Sequence, residues 1–306
     1  MSRVSHDRWE LHPKDPEYPP LLAASPSPPR TLYVAGDPAR LAPGLGIVGA
    51  RKATPYGLWA AERFATAAGE RGVTVVSGAA IGCDRAAQAA ALAAGGGSVA
   101  VLGCGADVDY PRSSRELLAR LRLGGAVVSE MPWGSAPQRW ALRERNRIIA
   151  GLSRAVLIVE AGLPSGTFST ADYALEAGRE VLVVPGSIRA PECRGTNRLL
   201  RQGATPVTDV SELAFELEAL GWTHELVGVG AAAPSDAARS APPQTGDPLG
   251  RALLADPMRP DDVSWTLGMD IRDVMIAITR LEDAGVVSRY PDGRYGPPGP
   301  RTRPDR

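Results

Sequence analysis

The sequence is poor in the residues that build metal centres and covalent frameworks: it has three histidines and three cysteines in 306 residues. Cys83, Cys104 and Cys193 are odd in number and form no C-x-x-C pair, which argues against a disulfide framework or a zinc site. His6, His12 and His224 lie far from the Gly-rich segments, so histidine-based metal or nucleophile chemistry is not expected, and no cofactor is predicted. There is no excess of either charge: 34 basic and 34 acidic residues cancel. No global field draws in a polyanion, and any contact with nucleic acid must come from local clustering. The first ten residues lack the apolar stretch of a signal peptide, and no run reaches the roughly 18 apolar residues that cross a bilayer. These absences predict a cytoplasmic protein without membrane insertion.

Against those absences stand 44% apolar residues and enough length for one large and one small domain. Residues 1–35 read as an extended N-terminal arm, with seven prolines between Pro13 and Pro29. Residues 36–222 alternate short apolar runs (46–49, 73–77, 98–102, 126–129, 155–160, 180–185) with helical stretches (55–71, 83–94, 113–123, 143–153, 167–178). The runs hold few polar residues, as strands covered on both faces do. The predicted fold is α/β, an extended Rossmann-like doubly wound parallel sheet. Thr54 and Pro55 fit the N-cap and first turn of the first long helix. Residues 223–246 are rich in Ala, Gly, Pro and Ser and read as a flexible linker. Residues 247–296 form a small winged-helix-like domain: helices at 248–255, 260–267 and 271–284, then a hairpin around Pro291-Asp292-Gly293. Residues 297–306 read as a disordered tail.

Gly44-Leu45-Gly46-Ile47-Val48-Gly49 matches G-x-G-x-x-G, but its glycines fall within the strand instead of opening a helix, so the dinucleotide reading is rejected. At the strand's carboxyl edge, Gly49 allows close backbone approach and Arg51 is placed to clamp a phosphate. The same residues also fit a glycine turn followed by a surface arginine. Ser77 and Gly78 open a second Gly-rich loop, 77–84, whose N–H groups suit a phosphate. Within it Asp84 reads as an N-terminal helix charge and Cys83 as buried filler.

The densest basic run is Arg139-Trp140-Ala141-Leu142-Arg143-Glu144-Arg145-Asn146-Arg147. Arginines interleaved with a tryptophan make the composition of a single-strand track, with Trp140 available for base stacking. A solvated helix face is the competing reading. Asn146 suits a base edge or a helix cap. Ser165-Gly166-Thr167 opens a helix, where hydroxyls and N–H groups receive an anion. No G-x-S-x-G elbow exists, so a serine hydrolase is not expected and no catalytic residue is assigned. Glu160 ends its strand as a lone base or a loop anchor.

Taken in order, Ile47-Val48-Gly49-x-Arg51, Val76-Ser77-Gly78-x-Ala80-x-Gly82-x-Asp84, Arg145-Asn146-Arg147-Ile148-Ile149-Ala150-Gly151-Leu152-Ser153, Ser165-Gly166-Thr167 and Gly195-x-Asn197 resemble the DprA/Smf DNA-processing family. The resemblance implies a single-stranded-DNA-binding homodimer, not an enzyme, that protects incoming DNA and loads the RecA recombinase in natural transformation. Carried over residue by residue, it implies DNA contacts at Gly49, Arg51, Ser77, Gly78, Arg145, Asn146, Arg147, Ser165, Gly166 and Thr167, with Arg139 in place of a basic residue just before the run. Cys83, Gln88, Leu142 and Arg143 depart from the family's usual Ile, His, Phe and Pro. An alternative is a nucleotide-binding or phosphoribohydrolase-type protein, since the fold resembles the superfamily of the cytokinin-activating LOG enzymes. Their P-G-G-x-G-T loop is matched neither by Pro185-Gly186-Ser187 nor by residues 163–167. A third possibility is a duplex-DNA regulator, but the helix at 271–284 sets Arg272 and Arg280 against Asp273, Glu282 and Asp283, a poor charge pattern for groove reading.

Overall fold

Apolar residues at every position of a short run demand cover on both sides, and the computed structural model, which describes residues 8–222 and 245–298, supplies it. The chain divides into two units, Met1–His224 and Glu225–Arg306. The predicted linker falls at 223–244 outside the described residues, as do 1–7 of the arm and 299–306 of the tail.

The first unit runs β1 (Arg8–Leu11), α1 (Pro20–Ala23), β2 (Leu32–Gly36), β3 (Gly44–Val48), α2 (Pro55–Glu70), β4 (Val75–Ser77), α3 (Cys83–Ala93), β5 (Ser98–Val101), α4 (Arg115–Gly124), β6 (Ala126–Ser129), α5 (Ala141–Glu144), α6 (Asn146–Gly151), β7 (Ser153–Ile158), α7 (Thr167–Glu176), β8 (Glu180–Val183), α8 (Arg194–Arg201), β9 (Thr205–Pro206) and α9 (Val210–Ala219). The nine strands form one sheet in the order β1-β2-β6-β5-β4-β3-β7-β8-β9. It is parallel from β6 to β9, while β2 joins β6 antiparallel and β1 joins β2 antiparallel.

Successive residues of a strand point to opposite faces. Leu45 and Ile47 of β3, with Ala155 and Leu157 of β7, pack under Phe64 of α2, Ala87 of α3 and Leu213 of α9. Val48, Val156 and Ile158 face the other way, onto Ile148 and Ile149 of α6 and Ala171 of α7. Thr54 caps α2 as expected: its hydroxyl accepts the Gly57 N–H at 3.1 Å, and Pro55 takes the first turn.

Two expectations change. The Pro-rich arm is not only an extended packing segment: it contains β1 and ends in β2, whose Leu32 and Val34 are wholly buried. Pairing with β6 supplies the partners for the β2 backbone, which a reading dominated by the prolines does not foresee. The single helix expected over 143–153 is interrupted by a tightened turn at Arg145, whose carbonyl accepts from both Ile148 and Ile149, and Ser153 already begins β7. Among the described residues no helix is long and apolar enough to cross a membrane.

The second unit comprises α10 (Pro248–Ala255), α11 (Pro260–Leu267), α12 (Ile271–Asp283), β10 (Ser288–Arg289) and β11 (Tyr295–Gly296), the strands pairing antiparallel. Leu249, Leu253, Val263, Val274, Ile278 and Tyr295 form its core. Asp247 and Asp270 cap α10 and α12.

On the outer surface of the first unit, Glu62 of α2 sits half-buried in a groove lined by Ala86, Ala89, Ala90 and Ala93 of α3. Burial pushes its carboxyl up to about 7. The folded state therefore binds a proton that the unfolded chain has released, and stability falls as pH rises between the two values. Glu62→Gln is expected to raise the urea midpoint over wild type at about pH 8 and to leave it unchanged at about pH 4, where the carboxyl is protonated in both states.

Candidate functional site

Strand order reverses between β3 and β7: the chain winds outward from β3 through β4, β5 and β6, and from β7 through β8 and β9. Loops at the carboxyl ends of the strands part at such a point and leave a crevice. Here the crevice is a cleft of about 570 Å³. The loop after β3 brings Gly49 and Arg51 to it, and the segment around α5 brings Arg139, Arg143, Arg145 and Asn146. The loop after β7 brings Ser165, Gly166 and Thr167, at the start of α7.

Three of the expected contact residues are placed otherwise. Ser77 is wholly buried and donates its hydroxyl to the Ile47 carbonyl at 2.6 Å, tying β4 to β3. Gly78 lies under the Arg145 side chain: a Cβ there would stand 1.5 Å from Nη1. Arg147 donates to the Ser27 carbonyl at 2.8 Å and to the Glu130 carboxylate, and does not line the cleft. The turn at Arg145 accounts for the division. A regular helix would keep Arg143 and Arg147 on one face, whereas Arg143 is exposed on the cleft wall.

Arg145 is 5% exposed and forms the back of the cleft. Its Nη1 donates to the Val101 carbonyl at 2.6 Å, and Nη2 stands 3.7 Å from Asp84 Oδ2. Asp84 also accepts the Gly78 N–H at 3.2 Å. Burial pushes the Asp84 carboxyl up, opposed by the Arg145 guanidinium and by backbone N–H groups of Gly49, Gly78 and Ala80. Burial pushes Arg145 down, while Asp84 raises it and the Arg51 charge lowers it. A guanidinium stays protonated under such pressures, so Arg145 keeps its charge at the back of the cleft. Asp84 is in the first turn of α3, as its helix-charge reading requires, but its main partner is across the site.

Arg51, Arg139 and Arg143 are exposed around this buried pair. Trp140, next to Arg139, is 58% exposed. Ser165 Oγ accepts the Thr167 N–H at 3.2 Å and donates to Thr167 Oγ1 at 2.9 Å, closing the turn into α7. Asn146 donates to Ser169 Oγ at 2.8 Å and so ties α6 to α7. Glu160 is wholly buried and accepts the N–H and hydroxyl of Thr54, which makes it a loop anchor. Cys83 is buried, and burial pushes its thiol well up, in keeping with an inert filler.

The model of the DNA recombination-mediator protein A family matches residues 10–218, and that of the DprA winged helix domain matches residues 232–293. Protein Smf of Escherichia coli is 39% identical over 293 residues, covering 92% of this chain and 76% of the relative. The X-ray structure of DNA processing protein A from Streptococcus pneumoniae superposes with a TM-score of 0.65 at 34% identity, over 70% of this chain and 75% of that one. DNA processing protein A from Helicobacter pylori, whose structure addresses its single-stranded DNA binding mode, superposes with a TM-score of 0.63 at 28% identity, over 70% of this chain and 97% of that one.

Removing one member of a buried ion pair strands the other charge in a poorly solvated place. Asp84→Ala is expected to destabilise the first unit by about 3–5 kcal/mol. Urea unfolding measures this, and a loss below about 1 kcal/mol would show that Arg145 finds solvent or another acceptor.

Proposed function

Because this chain belongs to the DNA recombination-mediator protein A family, we propose that its cleft grips single-stranded DNA. The observation that carries the reading is a local imbalance of charge. Four arginines, Arg51, Arg139, Arg143 and Arg145, line the cleft against one acid, Asp84, in a chain whose net charge is zero. Asp84 is already paired with Arg145, so the three exposed guanidiniums face solvent across a cleft without a competing carboxylate in its lining. Phosphates meet Arg51, Arg139 and Arg143 in bidentate contacts, while the Gly166 amide just before α7 receives a further phosphate oxygen. Trp140 offers a ring for one unpaired base, worth about 1–3 kcal/mol. Contacts of this kind carry affinity without reading sequence.

On this reading Gly49, Asn146 and Ser165 shape the cleft, while Ser77, Gly78 and Arg147 serve it from behind by holding strand, guanidinium and N-terminal segment in place. The chain then protects incoming DNA and loads the RecA recombinase in natural transformation, as a homodimer in the cytoplasm and without catalysing a reaction of its own. Glu160, the acid a hydrolase would call on, is committed to Thr54, so no ribose release from AMP is expected. In the second unit α12 exposes Ile271, Met275 and Ile276 beside Asp273, which supports a protein-contact or stabilising role over duplex reading. A chain cut after Trp222 is therefore expected to retain single-strand binding, measured by gel shift against duplex of equal length; loss of all binding would move the DNA site to the second unit.

Arg51→Ala is expected to weaken oligo-dT binding about tenfold, as loss of one charge-assisted contact does. The slope of log affinity against log salt should flatten by about 0.7 between about 50 and 150 mM. Unchanged affinity and slope in a fluorescence-anisotropy titration would sink the assignment of the cleft.

A further inference from the structure

Among the described residues, Ala79 is the one non-glycine with a positive φ, 51°. An L-residue in this left-handed conformation is disfavoured and persists only where its surroundings impose it. The surroundings here are two side chains with no solvent exposure. Gln88 of α3 accepts the Ala79 N–H at 3.0 Å through Oε1, and its Nε2 donates to the Val99 carbonyl at 2.9 Å. Ser114, just before α4, donates its hydroxyl to the Ala79 carbonyl at 2.8 Å. With Asp84 holding the Gly78 N–H, three backbone groups of this loop are each held by a buried side chain.

The loop so held supports two cations of the cleft. The bare face of Gly78 is the seat of the Arg145 guanidinium. Further along, Gly82 presses on the loop after β3: a Cβ on it would stand 2.2 Å from the Ala50 carbonyl oxygen and 2.8 Å from that of Arg51. The Cys83 N–H donates to the same Ala50 carbonyl at 3.2 Å. A shift of Gly78–Cys83 therefore displaces Arg145 directly and Arg51 through its backbone.

We propose that Gln88 and Ser114 are positioning residues for the DNA cleft: by clamping Ala79 in the left-handed conformation they set where Arg145 and Arg51 stand. Neither residue lines the cleft. The inference rests on the single-strand reading of that cleft and adds to it a pair of residues that act without touching DNA.

The test uses the full chain with Gln88→Met, which keeps the bulk and removes the side-chain hydrogen bonds, and Ser114→Ala, a milder variant for the case in which the first fails to fold. Each is made alone and with Ala79→Gly, because glycine adopts a positive φ without penalty. Oligo-dT affinity and melting temperature are measured for every variant, with wild type and Arg51→Ala alongside. We expect each single variant to bind about tenfold more weakly, the factor that corresponds to an ordinary left-handed penalty. Adding Ala79→Gly should return affinity to within about threefold of wild type, while the melting temperature stays low because buried partners of the lost side chain remain unsatisfied. A purely structural role predicts that adding Ala79→Gly leaves affinity as low as in the single variants, and that result overturns the inference. So does wild-type affinity in folded Gln88→Met and Ser114→Ala when Arg51→Ala has lost binding, which leaves the cleft reading standing. Failure of wild type itself to bind oligo-dT overturns the cleft reading and this inference with it.

Discussion

The cleft depends on one buried contact, the Arg145 guanidinium held between the Asp84 carboxylate and the Val101 carbonyl. Two charges removed from water are costly unless each finds the other and the remaining polar groups are met by hydrogen bonds. Here Asp84 has Arg145 and backbone N–H groups, and Arg145 has Asp84 and two carbonyls. This requirement reaches outward. It needs a residue without a side chain at Gly78, a turn at Arg145 that aims the guanidinium inward, and a loop after β4 bent so that Asp84 faces it. A site built this way is rigid at its back and free at its rim, where exposed arginines remain available to a polyanion.

That division explains how a chain without net charge acquires a basic surface. Acidic residues elsewhere neutralise arginines at short range: Glu130 takes Arg147, Asp107 takes Arg8, and Asp109 takes Arg115 and Arg122. In the cleft the single carboxylate is spent on the buried arginine, so the three exposed ones keep their field. Attraction then acts over about a Debye length, which confines it to the neighbourhood of the cleft and makes it sensitive to salt.

The sheet supplies the frame. Because β3 and β7 are neighbours while their chains wind in opposite directions, loops distant in sequence meet at their ends. Glu160 at the end of β7 reinforces this by holding Thr54, and through it the start of α2, against the neighbouring loop. The strands at the other edge, β1 and β2, enlarge the sheet and bring Trp133 beneath Arg8, 4.9 Å from guanidinium carbon to ring centre, in the segment that leads to Arg139.

Much of this architecture is written in local pattern. Largely apolar runs between helical stretches mark β3 to β8, because strands buried on both faces hold few polar residues. Thr54-Pro55 marks the start of α2, because a hydroxyl and a missing N–H suit a helix end, and the helical stretches of the second unit are legible as well. The basic run and the Gly-rich loops are equally visible, since both are contiguous. What contiguity does not carry is partnership. Whether Arg145 or Arg147 faces the cleft, whether Asp84 is a helix charge or a counter-ion, and whether Gly78 admits a ligand or a guanidinium depend on atoms brought together across 17 to 67 positions of chain. Such choices are settled by desolvation and packing in three dimensions, to which a one-dimensional pattern is blind, and so the tertiary structure alone decided them.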